Sequence, residues 1–290
     1  MDAQLLKIAG FAFMVPSSLE LPQNFLPFLT SERGDEQLLS SITIGDIEVS
    51  GMKLCHHGLI IDDTKDLFIY KVDGGGYYAK LTMNDSDVCY QLYASPTWDK
   101  VVLSQNTIDE DCPRSVIDIL MMLVFIYSSA YFKTILLHAS CVKCGEEAVA
   151  FIGQSGAGKS THSRLWLRYI PNTTLLNDDQ PAIRIQDNNK VIVYGTPWSG
   201  KTPCYINDNG LLKGIVRMKQ APINNITPLT PVSLFQELLS SSSMIKADPT
   251  TFKQITSTLA LLVSQVPGFI LENRPEKEAA LITYTNTIQC

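Results

Sequence analysis

No basic tract longer than an isolated pair occurs in this chain, and its 23 lysines and arginines are outnumbered by 29 aspartates and glutamates. With a net charge of −6 it lacks the surface that neutralises nucleic-acid phosphates, so no nucleic-acid partner is expected. A disulfide framework is missing too. Seven cysteines at 55, 89, 112, 141, 144, 204 and 290 form an odd, scattered set, which points to reduced thiols in a cytoplasm. Cys141 and Cys144 have the spacing of half a zinc site, but no second pair or histidine pair follows at ligand spacing, and Cys55-His56-His57 stands equally alone. Both read as packing, the first as a strand end entering a turn. The opening residues, with Asp2 so early, lack a signal-peptide layout. Residues 116–132 are strongly apolar, yet they hold Asp118 and sit at the short limit of a bilayer crossing, so a buried helix is expected and no membrane partner. There is no internal repeat.

What is present suits a globular protein: 290 residues, 45% of them apolar, enough for one large domain or two ordinary ones. The first part reads as short alternating strands at 41–45, 59–62, 67–72 and 77–83, with Gly74-Gly75-Gly76 as a turn. From 134 the texture changes. A strand at 134–143 and another at 148–152 precede a helix at 161–169, which stops at Pro171. Strands are expected at 173–176, 182–185, 191–195, 214–219 and 269–272, with helices at 231–240, at 250–263 and from Pro275. The expected class is α/β (α+β): a β-rich domain over 1–112, then an α/β domain over 113–290.

Between the strand at 148–152 and the following helix lies Gly153-Gln154-Ser155-Gly156-Ala157-Gly158-Lys159-Ser160, the G-x-x-x-x-G-K-S pattern in its strand–loop–helix context. Gly153, Gly156 and Gly158 let the backbone wrap phosphate oxygens, with Ser155 and Ala157 between them. Lys159 reaches the outer phosphates, Ser160 ligates Mg²⁺, and the helix starting near Thr161 directs its N-terminal amides at the anion. The pattern recurs at Gly195-Thr196-Pro197-Trp198-Ser199-Gly200-Lys201-Thr202. There Pro197 removes an amide donor, Pro203 biases Thr202 away from helix, and no helical periodicity follows. The second match is expected to be a strand-to-loop turn, or a second wall of the site whose Lys201 offers a cation to the acceptor.

Asp178 and Asp179 follow Lys159 by one short helix, at a strand tip where carboxylates can hold Mg²⁺ and take a proton; the bland alternative is a solvated turn. His138 lies on the preceding hairpin, either near the phosphates or packed. His162 reads as packing, and Arg217 and Lys219 as cleft residues or a solvated strand face.

His138-Ala139-Ser140, the phosphate loop on a hairpin's second strand, and Asn177-Asp178-Asp179 resemble the catalytic domain of bacterial HPr serine kinase/phosphorylase, of the phosphoenolpyruvate carboxykinase-like P-loop fold. The resemblance covers 134–220. It implies ATP and Mg²⁺, Lys159 and Ser160 on phosphates and metal, and one of Asp178 and Asp179 as base for a hydroxyl acceptor while the pair supports the metal. Thr161 stands where that family usually carries an acidic residue, and 194–201 replaces its glycine- and arginine-rich signature. The expected activity is therefore ATP-dependent phosphoryl transfer to a protein serine or a small-molecule hydroxyl, with self-association left open. A nucleotide-binding regulator without transfer is the alternative, and carboxykinase-type chemistry a weaker one.

Overall fold

The computed structural model describes residues 3–32, 34–60, 65–83, 87–200, 202–244 and 246–289. Packing divides the chain into two compact units, Met1–Tyr131 with Ile245–Phe252, and Phe132–Met244 with Lys253–Cys290.

The first unit is built on nine strands: β1 (Ala3–Ile8), β2 (Phe11–Pro16), β3 (Leu29–Thr30), β4 (Gln37–Ile44), β5 (Met52–Ile60), β6 (Lys65–Val72), β7 (Tyr77–Met83), β8 (Cys89–Ala94) and β9 (Lys100–Leu103). They form one sheet in the order β3-β1-β2-β4-β9-β8-β7-β6-β5. Five consecutive strands from β5 to β9 are an antiparallel meander, and β4 joins it in parallel. Alternation explains the strands: in β8, Tyr90, Leu92 and Ala94 are buried while the residues between them are half-buried. The apolar run expected to be a buried helix is α1 (Arg114–Ala130), which packs on β4 and buries twelve of its residues. Among the described residues no helix is long and apolar enough to cross a membrane. Trp98 stacks on Tyr127 with centroids 4.3 Å apart. Beside them the fully buried Asp248 accepts from the Tyr77 hydroxyl (3.1 Å) and pairs with Lys71 (3.2 Å).

The second unit holds β10 (Thr134–Leu136), β11 (Ala139–Cys144), β12 (Glu147–Ile152), α2 (Lys159–Tyr169), β13 (Thr173–Asn177), β14 (Ala182–Ile185), β15 (Val191–Tyr194), β16 (Asn209–Gln220), β17 (Asn225–Pro228), α3 (Pro231–Ser241), β18 (Gly268–Asn273) and α5 (Lys277–Thr287); α4 (Pro249–Gln265) begins in the first unit and continues in this one. Its sheet runs β10-β14-β15-β16-β12-β11-β13, with β18 also on β16. The sheet is mixed: β12–β16 and β16–β18 are parallel and the other pairs antiparallel.

In this unit two expected strands differ in span and one strand is additional. The strand at 134–143 is two strands, because Leu137 and His138 turn their amides to Pro181 and Ser241 instead of a ladder. β16 begins at Asn209, five residues before the expected start at Gly214, and runs through Gly210 and Gly214. Gly214 is needed there, since a Cβ would come within 2.8 Å of Thr287. β17 carries no periodic signal and was not expected. Cys144 does end a strand before the turn at Gly145, and the described cysteines 55, 89, 112, 141, 144 and 204 are free.

Beneath the phosphate loop lies a core of Val142, Val149, Phe151, Val216 and Leu271, closed by Trp166 of α2 and by Ala279 and Ala280 of α5. Trp166 is fully buried, and truncating a side chain of that size to alanine costs about 3–5 kcal/mol. This packing fixes the helix whose N-terminus faces the site.

Candidate phosphate-binding site

β12 ends at Ile152 and the chain turns through Gly153, held by an Ala157 N–H donating to Gln154 O at 3.0 Å. Gly158 caps α2 at φ 99°, a left-handed conformation that strains any side chain. α2 starts at Lys159, two residues earlier than the sequence suggests, so Lys159, Ser160 and Thr161 form its first turn. Their amides are among the orphan donors of a helix N-terminus. The buried Ser163 and Ser140 hydroxyls lie 2.6 Å apart and tie α2 to β11. At its far end Pro171 holds Ile170 extended and stops the helix.

The loop borders a cleft of about 400 Å³ whose walls are His138, residues 155–161, Arg164, Asp178, Asp179, Gly200 and Thr202. Every loop residue expected at the phosphates therefore lies on it except Gly153, which forms the turn behind. Lys159 Nζ donates to Gly153 O at 2.9 Å, so the ammonium lies back across its own loop. Burial draws its pKa below the ordinary lysine value, while Asp179 and Asp178 oppose that shift.

The aspartates are set by Asn177, which is fully buried. Its Oδ1 accepts from the amides of Asp179 and Gln180, both at 2.9 Å, which closes the turn. Its Nδ2 donates to Trp198 O (3.0 Å) and Thr196 Oγ1 (3.2 Å), fastening the second GKT-like segment against the aspartates. That segment has no helix behind it. Gly195 is there for close approach, since a Cβ would fall within 2.0 Å of Ile206 O. Gly200 lies against Asp178 and Asp179, and with Thr202 supplies a wall of the cleft. Lys201 lies outside the described residues.

Asp178 is nearly buried, and its Oδ1 has no hydrogen-bond partner. Asp179 is more open and stands 3.7 Å from His138 Nε2. Burial raises the Asp179 pKa above the usual carboxylate value, against the pull of His138 and Lys159. His138 is held below the ordinary histidine value by burial and by the Lys159 charge. A lysine, two carboxylates and an imidazole thus share one cleft with a helix N-terminus.

Several residues go elsewhere. His162 is buried under α2, where Trp166 Nε1 donates to its Nε2 at 3.2 Å. His57 stacks on Phe68 and lies 3.4 Å from Asp66. Lys219 pairs with Glu272 at 2.7 Å. Arg217 pairs with Glu237 at 2.6 Å in a neighbouring cleft of about 280 Å³ that meets the phosphate cleft at His138 and Ser155. Sequence reasoning missed Arg164 and Gln220. Arg164 is four residues past Ser160, one helical turn on, and that spacing was the available signal. Gln220, which donates to Gly156 O at 2.9 Å, comes from the end of β16 and had none.

No family model matches the chain, and no curated protein matches it in sequence. Among solved structures it is similar to the Hpr(Ser) kinase/phosphatase from Coxiella burnetii, with 13% identity, a TM-score of 0.31 and coverage of 52% of this chain and 86% of that one. At that level the relation is a distant likeness of fold, and it says nothing about activity.

Proposed function

We propose that this chain is an ATP-dependent phosphotransferase that moves the γ-phosphoryl group of ATP to the hydroxyl of a protein serine or a small molecule. The reading is carried by one observation: the phosphate loop, Lys159, Asp178, Asp179 and His138 border the same cleft. Loop amides and the α2 N-terminus receive the phosphate oxygens, and Lys159 leaves Gly153 O to neutralise charge developing on the transferred group. Ser160, Asp178 and Asp179 are an all-oxygen donor set. With the orphaned Asp178 Oδ1 among them, they fit Mg²⁺. Among the described residues no cluster of three or more His, Cys, Asp or Glu could hold a metal unaided. One or two carboxylates completed by substrate phosphates is how Mg²⁺ is usually held. When bound, the ion spreads phosphate charge.

Asp179, the more open of the two carboxylates, takes the acceptor proton, and His138, 3.7 Å away, positions it. The acceptor oxygen then forms a bond to the γ-phosphorus while the bond from that phosphorus to the β,γ-bridging oxygen breaks. The electron pair leaves with ADP. The test is incubation with γ-labelled Mg-ATP and a panel of serine peptides and small hydroxyl compounds. Labelled acceptor is expected, and Asp179→Asn should lower transfer about 10²–10⁴-fold. ATP binding without transfer to any acceptor or to water would favour the regulatory alternative.

A further inference from the structure

The cleft that holds the Arg217–Glu237 pair meets the phosphate cleft at His138 and Ser155. Three elements build it. Arg217 is level with Ile152 in the parallel β12–β16 register, one residue before the loop begins, so it stands at the carboxyl ends of these strands. Glu237, Ser240 and Ser241 come from the end of α3, and the Ser241 carbonyl accepts from the His138 amide at 2.7 Å. His138 in turn stands 3.7 Å from Asp179. A molecule in this cleft therefore has one end beside the carboxylate assigned to take the acceptor proton.

Stability does not account for the pair. Both side chains keep accessible surface, 22% and 32%, and at such sites an ion pair contributes little. Glu237 lies in the last turn of α3, where the helix dipole disfavours a negative charge. Arg217 Nε is 2.6 Å from Glu237 Oε1, yet it makes no aligned hydrogen bond. Among the described residues Arg217 Nη2 and Glu237 Oε2 take part in no hydrogen bond. Each residue thus keeps a charged atom for a ligand, one cationic and one anionic, in a single cleft. Its volume, about 280 Å³, is at the small end for a ligand site, and among the described residues no aliphatic side chain lines it.

We propose that this cleft binds the zwitterionic end of a small hydroxy-amino acid, its ammonium on Glu237 and its carboxylate on the Arg217 fork, with the side-chain hydroxyl turned to Asp179. The assignment rests on the phosphotransferase reading above and narrows its acceptor to a free amino acid. The charges of the pair sum to zero. A ligand with one charge leaves the cleft charged, whereas a zwitterion satisfies both residues and keeps it neutral. The C-terminus of α3 favours the ammonium as well. The hydroxyl proton passes to Asp179, the hydroxyl oxygen bonds to the γ-phosphorus, and ADP leaves with the electron pair, giving an O-phospho amino acid.

The test measures transfer from γ-labelled Mg-ATP to four acceptors: L-serine, L-serinamide, which lacks the carboxylate, N-acetyl-L-serine, which lacks the ammonium, and a serine peptide capped at both ends. L-Serine should have the highest kcat/KM. Loss of either charged end should lower it about ten- to a hundredfold, as one charge-assisted hydrogen bond requires. Glu237→Gln should reduce the preference for L-serine over N-acetyl-L-serine, and Arg217→Gln the preference over L-serinamide. Transfer to the capped peptide that equals or exceeds transfer to L-serine would overturn the assignment and leave the phosphotransferase reading standing. A penalty for losing only one of the charged ends would overturn it too. No transfer to any of the four also overturns it, and calorimetric binding of Mg-ATP then tells whether the phosphate site falls with it. The wild-type comparison needs no variant to fold.

Discussion

Lys159 and His162 sit three residues apart on α2, and burial moves both pKa values downward with different consequences. For Lys159 the charge is retained for phosphate. Removing the partner of a charge-assisted hydrogen bond costs about 1.5–3 kcal/mol, so Lys159→Ala should weaken Mg-ATP by about tenfold or more in a titration. For His162 the folded pKa near 3 lies below an unfolded value of about 6.5. As pH falls, the unfolded chain takes the proton first. Stability is therefore intact above about pH 6.5 and lost towards pH 3, at about 1.4 kcal/mol per unit over most of that window. Urea midpoints measured from pH 7 to 5 should fall accordingly, and His162→Gln should flatten the slope. At this scale the sequence was informative for the shape of the loop, because Gly153, Gly156 and Gly158 take the positive φ values that its turn into α2 requires. For Arg164 it offered only the four-residue spacing from Ser160, which is ordinary on a helix until its neighbours across space are known.

Among elements, the loop at 195–202 shows how a motif can be right in spelling and different in role. Without a following helix it lacks the aligned amides that hold an anion, and its glycines serve close approach to Leu176, Ile206 and the aspartates. Asn177 is the fastening. Asn177→Ala leaves two amides and the Trp198 carbonyl short of partners, and should cost about 2 kcal/mol in a chemical melt. It should also weaken phosphoryl transfer, because Asp179 loses its turn; Asn177→Asp, which keeps the Oδ1 acceptor, should restore part of it. The break between β10 and β11 was hidden in the sequence for a physical reason. Residues 134–143 contain no glycine or proline to mark a break, and it is amide hydrogen bonds to the distant Pro181 and Ser241 that stop the ladder at Leu137 and His138.

Across the whole chain, texture separated a β-rich first part from an α/β second part, because alternation and helix signals are local. It could not place residues 246–252, which return to the first unit across more than a hundred intervening residues. Asp248 holds them there through Tyr77, Lys71 and Thr251. Burial would raise its pKa, but the Thr251 and Lys71 contacts prevail and hold it below the ordinary aspartate value. Its contribution is thus present above about pH 4 and lost as pH falls through the folded pKa. Asp248→Ala strips a buried ion pair of one partner, and should destabilise the first unit by about 3 kcal/mol in urea unfolding. The whole cleft beside the loop lies in the second unit, so the Mg-ATP affinity that the proposed function requires is expected to persist wherever the protein stays folded.

The most direct measurement is calorimetric titration of Mg-ATP into wild type, Lys159→Ala and Lys201→Ala. The cradle at 153–160 predicts that Lys159→Ala loses about tenfold or more in affinity, as one charge-assisted contact requires. Lys201→Ala should bind as wild type does. Equal losses in both variants, or unchanged binding in Lys159→Ala, would contradict the phosphate site described above.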